Sequence, residues 1–171
     1  MKRVFTTAIL LLTAASLFAA KPLKVSKGSL DVLRQDATAT WTIDLSQATF
    51  EKDQSFEASY EGDFQALVQS INDTFFESFN KFSKGLKLVK EEPAPYKLVF
   101  KVKDFERKQG PGMWGSMFIR VTGVIDIEDC ASGETVCELE VNGVKGDTDF
   151  VEADRYPKTM DWLCRDIFKM K

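Results

Sequence analysis

Apolar residues recur at helical spacing in two stretches of the chain. Between residues 64 and 83 they share one face, with Asp63 placed to cap the helix and Gly85 just past its end. An aromatic stripe of this kind can line a ligand cavity, although packing on a sheet is its usual role. The second amphipathic stretch is 154–170, and its apolar face carries Met160, Leu163, Cys164 and Ile167. Two amphipathic helices are therefore predicted.

Alternation of apolar and polar residues predicts strands in most of the remaining chain. It is clearest in residues 40–45, in 96–103, whose polar face carries lysines, and in 117–127. Shorter candidates are an edge strand at Leu23 and Val25 and the segments 86–89 and 136–141. Two stretches are predicted to be loops, the weakly periodic 46–62 and the glycine-rich 107–116.

This order of elements indicates an α+β fold. Consecutive strands pair most simply as an antiparallel meander, and the two helices then cover one face of the sheet. We therefore expect a two-layer sandwich with a mainly antiparallel sheet and two amphipathic helices on one face.

The first 20 residues predict an export signal. Lys2 and Arg3 precede an apolar run that is shorter than the ~20 residues needed to span a bilayer, and small residues follow it. A retained membrane anchor is the alternative. We expect residues 1–20 to be a cleaved signal peptide and residues 21–171 to form one α+β domain, periplasmic or secreted, without a transmembrane span.

Composition excludes several classes of function. The 171-residue chain has no histidine, so it has no Ser-His-Asp triad, histidine zinc ligand or histidine proton shuttle. Its formal net charge of -3 becomes -5 when Lys2 and Arg3 leave with the signal peptide. Nucleic-acid binding needs clustered cations and is not expected. No cofactor and no metal site are predicted.

The cysteines are interpreted through the hairpin around Gly133. With Gly133 as a left-handed bulge residue, Cys130 pairs with Glu134 and Ile127 with Cys137. Ile125–Leu139 and Gly123–Val141 then pair on the apolar face. Cys137 thus faces inward, as does Cys164. Two alternatives remain: a Cys137–Cys164 disulfide in an oxidising compartment, or two buried free thiols.

Two further features are candidates for chemistry or binding. Asp126 and Glu128 share a strand face, so a carboxylate pair for hydrolysis is conceivable, although a solvated strand end explains them as well. In the glycine-rich loop, Met113 and Trp114 are candidate binding residues, either as an exposed anchor for a partner or as a lid folded over the core.

Part of the sequence resembles a family. The segments 36–46, 75–85 (FFESFNKFSKG), 96–104 (YKLVFKVKD) and 125–134 (IDIEDCASGE) are similar to small secreted proteins of the Bacteroidetes group, known as domain-of-unknown-function families. The resemblance covers most of the mature chain and rests on structural motifs. It implies a bacterial envelope setting and supplies no activity or catalytic residues.

These observations favour an exported, non-enzymatic binding or accessory protein of the bacterial cell envelope, acting on an envelope protein or a small ligand. The alternative is a histidine-independent hydrolase that uses Asp126 and Glu128. Self-association is a third possibility, through the less apolar sheet face that bears Val99, Phe118 and Val124.

Overall fold

The computed structural model describes residues 21–90, 93–110, 117–149 and 151–170. Its strands are β1 (Leu23–Gly28), β2 (Thr38–Asp44), β3 (Thr49–Phe50), β4 (Gln54–Ser55), β5 (Lys87–Leu88), β6 (Tyr96–Gln109), β7 (Met117–Asp129) and β8 (Thr135–Lys145). Its α-helices are α1 (Phe56–Ser59), α2 (Phe64–Phe82) and α3 (Glu152–Ile167), and a 3-10 helix spans Leu30–Arg34. The predicted helices and main strands are thus present, with Tyr96–Gln109 extending into the segment expected to be a loop.

The strands form one mixed sheet in the order β1-β8-β7-β6-β2-β5. The antiparallel meander β6–β7–β8 is as predicted, and β1 is an edge strand. The expectation of antiparallel pairing fails at β2, which runs parallel to both β6 and β5. The reason is that α2 lies between β2 and β6 in the chain, and a helical crossover returns the chain in the same direction.

The prediction of a long loop at 46–62 is wrong. This segment contains β3, β4 and α1, and β3 pairs parallel to β6 through Thr49 and Asp104. Phe56 of α1 is fully buried. These elements have two to four residues each, which is too short for periodicity to show.

Helices α2 and α3 lie side by side and run in the same direction across one face of the sheet. Asp63 caps α2 as predicted, since its carboxylate accepts from Ala66 N at 3.0 Å. Along the helix pair, Ser78 Oγ donates to Asp161 Oδ1 at 2.7 Å. The Phe75 ring lies 6.2 Å from that of Phe100 in β6, which joins the helix layer to the sheet.

Two β-bulges keep the apolar face continuous. The register shifts on β6 between Val102 and Asp104, and on β8 around Gly143, which has a φ of 71°. Each bulge adds one residue, so Phe105 and Val144 return to the buried face after the regular alternation would have turned them outward.

The β7–β8 hairpin has most of the predicted register. Ile127–Cys137, Ile125–Leu139 and Gly123–Val141 pair as expected. The predicted Cys130–Glu134 pair is wrong, because Asp129 N donates to Glu134 O at 2.9 Å. The loop is therefore one residue longer, and a register shift between Ile127 and Glu128 compensates for it. Gly133 has the expected left-handed conformation, with a φ of 71°.

Candidate functional site: a polar pocket around Arg107

The binding residues predicted from the glycine-rich loop, Met113 and Trp114, lie outside the described residues. The strands that flank this loop end at Gln109 and begin again at Met117. Arg107 lies two residues before that end of β6. The pocket described below is therefore close, along the strand, to the start of the predicted binding loop.

The carboxylate pair considered for hydrolysis lies on the sheet face away from the helices. Asp126 is 7 % exposed, and its Oδ2 lies 2.9 Å from Lys101 Nζ. This contact raises the pKa of Lys101. Glu128 stands opposite Lys97 in the β6–β7 register. Asp126 thus neutralises Lys101, and this ion pairing gives no support to a hydrolytic role.

The face considered for self-association is only partly open. Val99 and Val124 are half-buried, whereas Phe118 is just 8 % exposed. The cationic groups of Arg120 and Lys145 lie 5.7 and 5.9 Å from the Phe118 ring centroid. Self-association through this face stays a prediction that depends mainly on the two valines.

Within the described ranges, no cluster of three or more metal-ligating side chains is placed to hold a metal ion. In the same part of the chain, no helix has both the length and the apolar character needed to cross a bilayer.

Cys137 and Cys164 are buried, whereas Cys130 is exposed, and all three carry free thiols in the structure. Cys164 Sγ donates to Phe75 O at 3.7 Å, which ties α3 to α2. Burial raises the pKa of Cys137 to about 11 and also raises that of Cys164. A disulfide between the two buried cysteines stays a prediction.

Thiol labelling separates the two alternatives for these cysteines. If the buried thiols are free, Ellman's reagent will detect one rapidly reacting thiol in the folded protein and three in denaturant. A disulfide between Cys137 and Cys164 would instead leave one thiol in both states, and the variant Cys130→Ser would leave none.

Because folding raises the pKa of Cys137 to about 11, its protonated thiol stabilises the fold fully below the ordinary thiol pKa. That contribution is lost as the pH rises toward 11.

A polar pocket of about 420 Å³ lies where α2 and α3 begin. It is lined by Ser59, Tyr60, Glu61, Gly62, Arg107 and Glu152 and is called the Arg107 pocket below. Ser59–Gly62 connect α1 to α2, Arg107 lies near the end of β6, and Glu152 is the first residue of α3. Three separate parts of the chain thus meet in this pocket only because α2 and α3 start at the same end of the sheet.

Arg107 is held from two sides. Its guanidinium carbon lies 5.1 Å from the ring centroid of Phe50, and its Nη2 forms an ion pair with Glu152 Oε1. Its Nε is buried, and no residue in the described part of the chain accepts a hydrogen bond from it. A buried donor without an acceptor costs roughly 1–3 kcal/mol.

Tyr60 forms the aromatic side of the pocket, and the buried Tyr156 packs behind it. The Tyr60 ring lies 6.2 Å from that of Tyr156, which in turn packs 5.1 Å from the buried ring of Phe56. The Tyr156 hydroxyl donates to Glu152 Oε1 at 3.4 Å. Burial, followed by the charge of Glu152, raises the pKa of both tyrosines. Both phenols therefore remain neutral around pH 7 and act as hydrogen-bonding groups.

The charges around the pocket follow from the helix ends. The N-terminus of a helix carries a partial positive charge, which stabilises nearby carboxylates. Asp63 is the N-cap of α2, and Glu152 and Asp154 lie in the first turn of α3. The acidic groups thus have a structural role, while Arg107 supplies the cation that faces them.

Sequence reasoning did not single out Tyr60, Arg107 or Glu152. The sequence predicts a loop at Arg107 and no regular structure at Tyr60. Arg107 and Glu152 are 45 residues apart, so no local motif relates them. The one available signal was the N-terminal turn of the last helix, where carboxylates are common for reasons unrelated to ligands.

No protein-family model and no curated protein sequence matches this chain. Among solved structures, it is similar to the PelC dodecamer from Paraburkholderia phytofirmans, with 12 % identity and a TM-score of 0.45 over 87 % of this chain and 98 % of that one. It is also similar to a neuraminyllactose-binding hemagglutinin homolog from Helicobacter pylori, with 10 % identity and a TM-score of 0.43 over 84 % and 87 %.

A minor lipoprotein from Acinetobacter baumannii shows 12 % identity and a TM-score of 0.39 over 78 % of this chain and 91 % of its own. At TM-scores of 0.39–0.45, these similarities identify neither a family nor a function for the chain.

Proposed function

We propose that this chain is an exported, non-enzymatic binding protein of the bacterial cell envelope, and that the Arg107 pocket holds a small polar ligand. One observation carries the proposal: the guanidinium-bearing side chain of Arg107, 36 % exposed, lines a pocket of about 420 Å³. Pockets of this volume suit small molecules. An oxygen-bearing ligand would accept hydrogen bonds from the exposed part of this guanidinium.

The chemistry of the pocket favours binding over acid–base catalysis. A general acid or base works best with a pKa near the operating pH. The pKa values of Tyr60 and Tyr156 are raised, away from neutrality, and the sequence has no histidine. Arg107 and Glu152 are paired with each other. Tyr60, Arg107 and Glu152 line the pocket and can hold and orient a ligand through hydrogen bonds.

The envelope setting rests on the N-terminal signal pattern and on the resemblance to small secreted Bacteroidetes proteins. In that setting, residues 1–20 are removed during export and the domain acts in the periplasm or outside the cell. A binding role there needs neither a cofactor nor a metal ion.

Saturation-transfer NMR with D-glucose, L-serine and succinate tests the pocket with neutral, zwitterionic and anionic oxygen-bearing probes. We expect at least one probe to bind, and its affinity to fall about tenfold or more in Arg107→Gln, because a hydrogen bond to a charged group is worth ~1.5–3 kcal/mol. Lys103→Gln removes a cation from the same strand outside the pocket and will leave binding unchanged.

The proposal fails if none of the three probes binds, or if the loss of Arg107 leaves probe binding intact. Circular dichroism will establish that Arg107→Gln is folded. If that variant does not fold, Glu61→Gln, at an exposed position of the pocket, replaces it, and unchanged affinity in this variant would count equally against the pocket.

A further inference from the structure

A second, apolar pocket lies at the opposite ends of α2 and α3, where both helices terminate. Its volume is about 290 Å³, and its apolar wall consists of Leu30, Leu33, Phe82, Ile167, Phe168 and Met170. The 19 residues of α2 separate it from the Arg107 pocket by about 28 Å, at 1.5 Å per residue. This helix-end pocket is therefore a separate site, and it does not depend on the proposed function.

The wall of the helix-end pocket is fixed by contacts behind it. Leu86 N donates to Leu33 O at 3.2 Å, which holds the 3-10 helix against the end of α2. Gly85 packs so closely that a Cβ at this position would lie 2.5 Å from the carbonyl carbon of Arg34. The Phe168 ring packs edge-on against Phe79 with a centroid distance of 4.9 Å. The pocket is thus a built feature of the fold.

The size of the pocket suits one hydrocarbon chain. A water molecule occupies ~30 Å³ in the liquid, and a methylene group is of comparable size. A pocket of about 290 Å³ therefore accommodates roughly ten carbon atoms. Covering its apolar side chains with a hydrocarbon chain removes both surfaces from water, which is favourable in proportion to the area covered.

Two cations lie on the rim of the pocket, Arg34 and Lys84. Arg34 makes a long contact of 3.4 Å with Asp31, in which the two side chains are 62 % and 73 % exposed. Within the described residues, Lys84 takes part in no ion pair at all. The negative ends of the helix dipoles also point here, but Lys81 and Arg165 in the last turns oppose them. Arg34 and Lys84 therefore remain available for an anionic group.

We infer that the helix-end pocket binds a single-chain amphiphile with an anionic head group, with its hydrocarbon chain against the apolar wall and its head at Arg34 and Lys84. The shared chemistry is that of a fatty acid or another singly acylated anion.

Isothermal titration calorimetry with dodecanoate below its micellar concentration tests this inference. We expect one dodecanoate to bind per protein chain. Dodecyltrimethylammonium, which has the same hydrocarbon chain and a cationic head, will bind more weakly by about tenfold or more, and acetate will not bind. Leu30→Trp fills the pocket and will abolish binding. The double variant Arg34→Gln/Lys84→Gln will weaken it about tenfold, since exposed ion pairs are individually weak. Lys97→Gln, on the other face of the sheet, is the matched control.

Absence of dodecanoate binding, or binding unaffected by Leu30→Trp, would overturn the inference. Equal binding of dodecyltrimethylammonium would overturn the inferred preference for an anionic head group. If Leu30→Trp does not fold, Met170→Trp fills the same pocket and is judged by the same result. Arg107→Gln will leave dodecanoate binding unchanged, so the outcomes for the two pockets are independent.

Discussion

Replacement of Phe56 by alanine is expected to lower the free energy of unfolding by about 3–5 kcal/mol, the usual cost of truncating a buried phenylalanine. Phe56 has 0 % of its side chain exposed, and its ring lies 4.4 Å from that of Phe105 and 5.1 Å from that of Tyr156. The neighbouring rings cannot close the cavity without moving. Urea denaturation followed by fluorescence measures the loss.

Phe76→Ala is the matched control for Phe56→Ala. Phe76 is half-buried and stacks on Trp41 with a centroid distance of 4.7 Å at the surface of α2. Its truncation will cost about 1–2 kcal/mol, because solvent can fill the space it leaves. Equal losses for the two variants would show that α1 is not part of the core.

Because Phe56 also supports Tyr156, Phe56→Ala will weaken probe binding in the Arg107 pocket.

Gly123→Ala is expected to be the second most disruptive substitution, at about 3 kcal/mol or more. A Cβ on Gly123 would lie 2.4 Å from the carbonyl oxygen of Lys101 and 2.9 Å from Cε2 of Phe100. The first of these neighbours is backbone in the central strand β6, so relief requires the β6–β7 ladder to shift. Thermal unfolding will show a large decrease in Tm.

Gly133→Ala tests a different property of glycine in the same hairpin. Gly133 has a φ of 71°, but a Cβ there meets no atom within 4 Å. The substitution therefore costs only the backbone strain of a left-handed alanine, about 1–2 kcal/mol. If Gly133→Ala destabilised the protein as much as Gly123→Ala, close packing of β7 against β6 would not explain the role of Gly123.

Local patterns predicted the long elements well. In α2, the buried residues Leu67, Ile71, Phe75 and Phe79 repeat at helical spacing, and the Asp63 cap lies next to them in the sequence. In the β7–β8 hairpin, three strand pairs are as predicted, because a register shift between Ile127 and Glu128 offsets a loop one residue longer than expected. Such features depend on interactions between residues close in the chain, and sequence periodicity reports them directly.

Other features depended on residues far apart in the chain. The parallel pairing of β2 with β6 is set by where the α2 crossover returns the chain, and alternation within β2 is the same for either direction. The bulge near Lys103 places Phe105 in the core, although strict alternation predicts the opposite face. The short segment around Phe56 is ordered by burial against Phe105 and Tyr156, and no local pattern announces it.

The sequence by itself determined the class of fold, the two amphipathic helices and the exclusion of histidine chemistry. It also predicted the export signal. It determined these because composition and short-range periodicity are properties of neighbouring residues. The tertiary structure alone decided both pockets. Helices α2 and α3 run in the same direction, so their N-termini lie together at one end and their C-termini at the other. For this reason Arg107 contacts Glu152 in one pocket, and Leu30 and Met170 line the other.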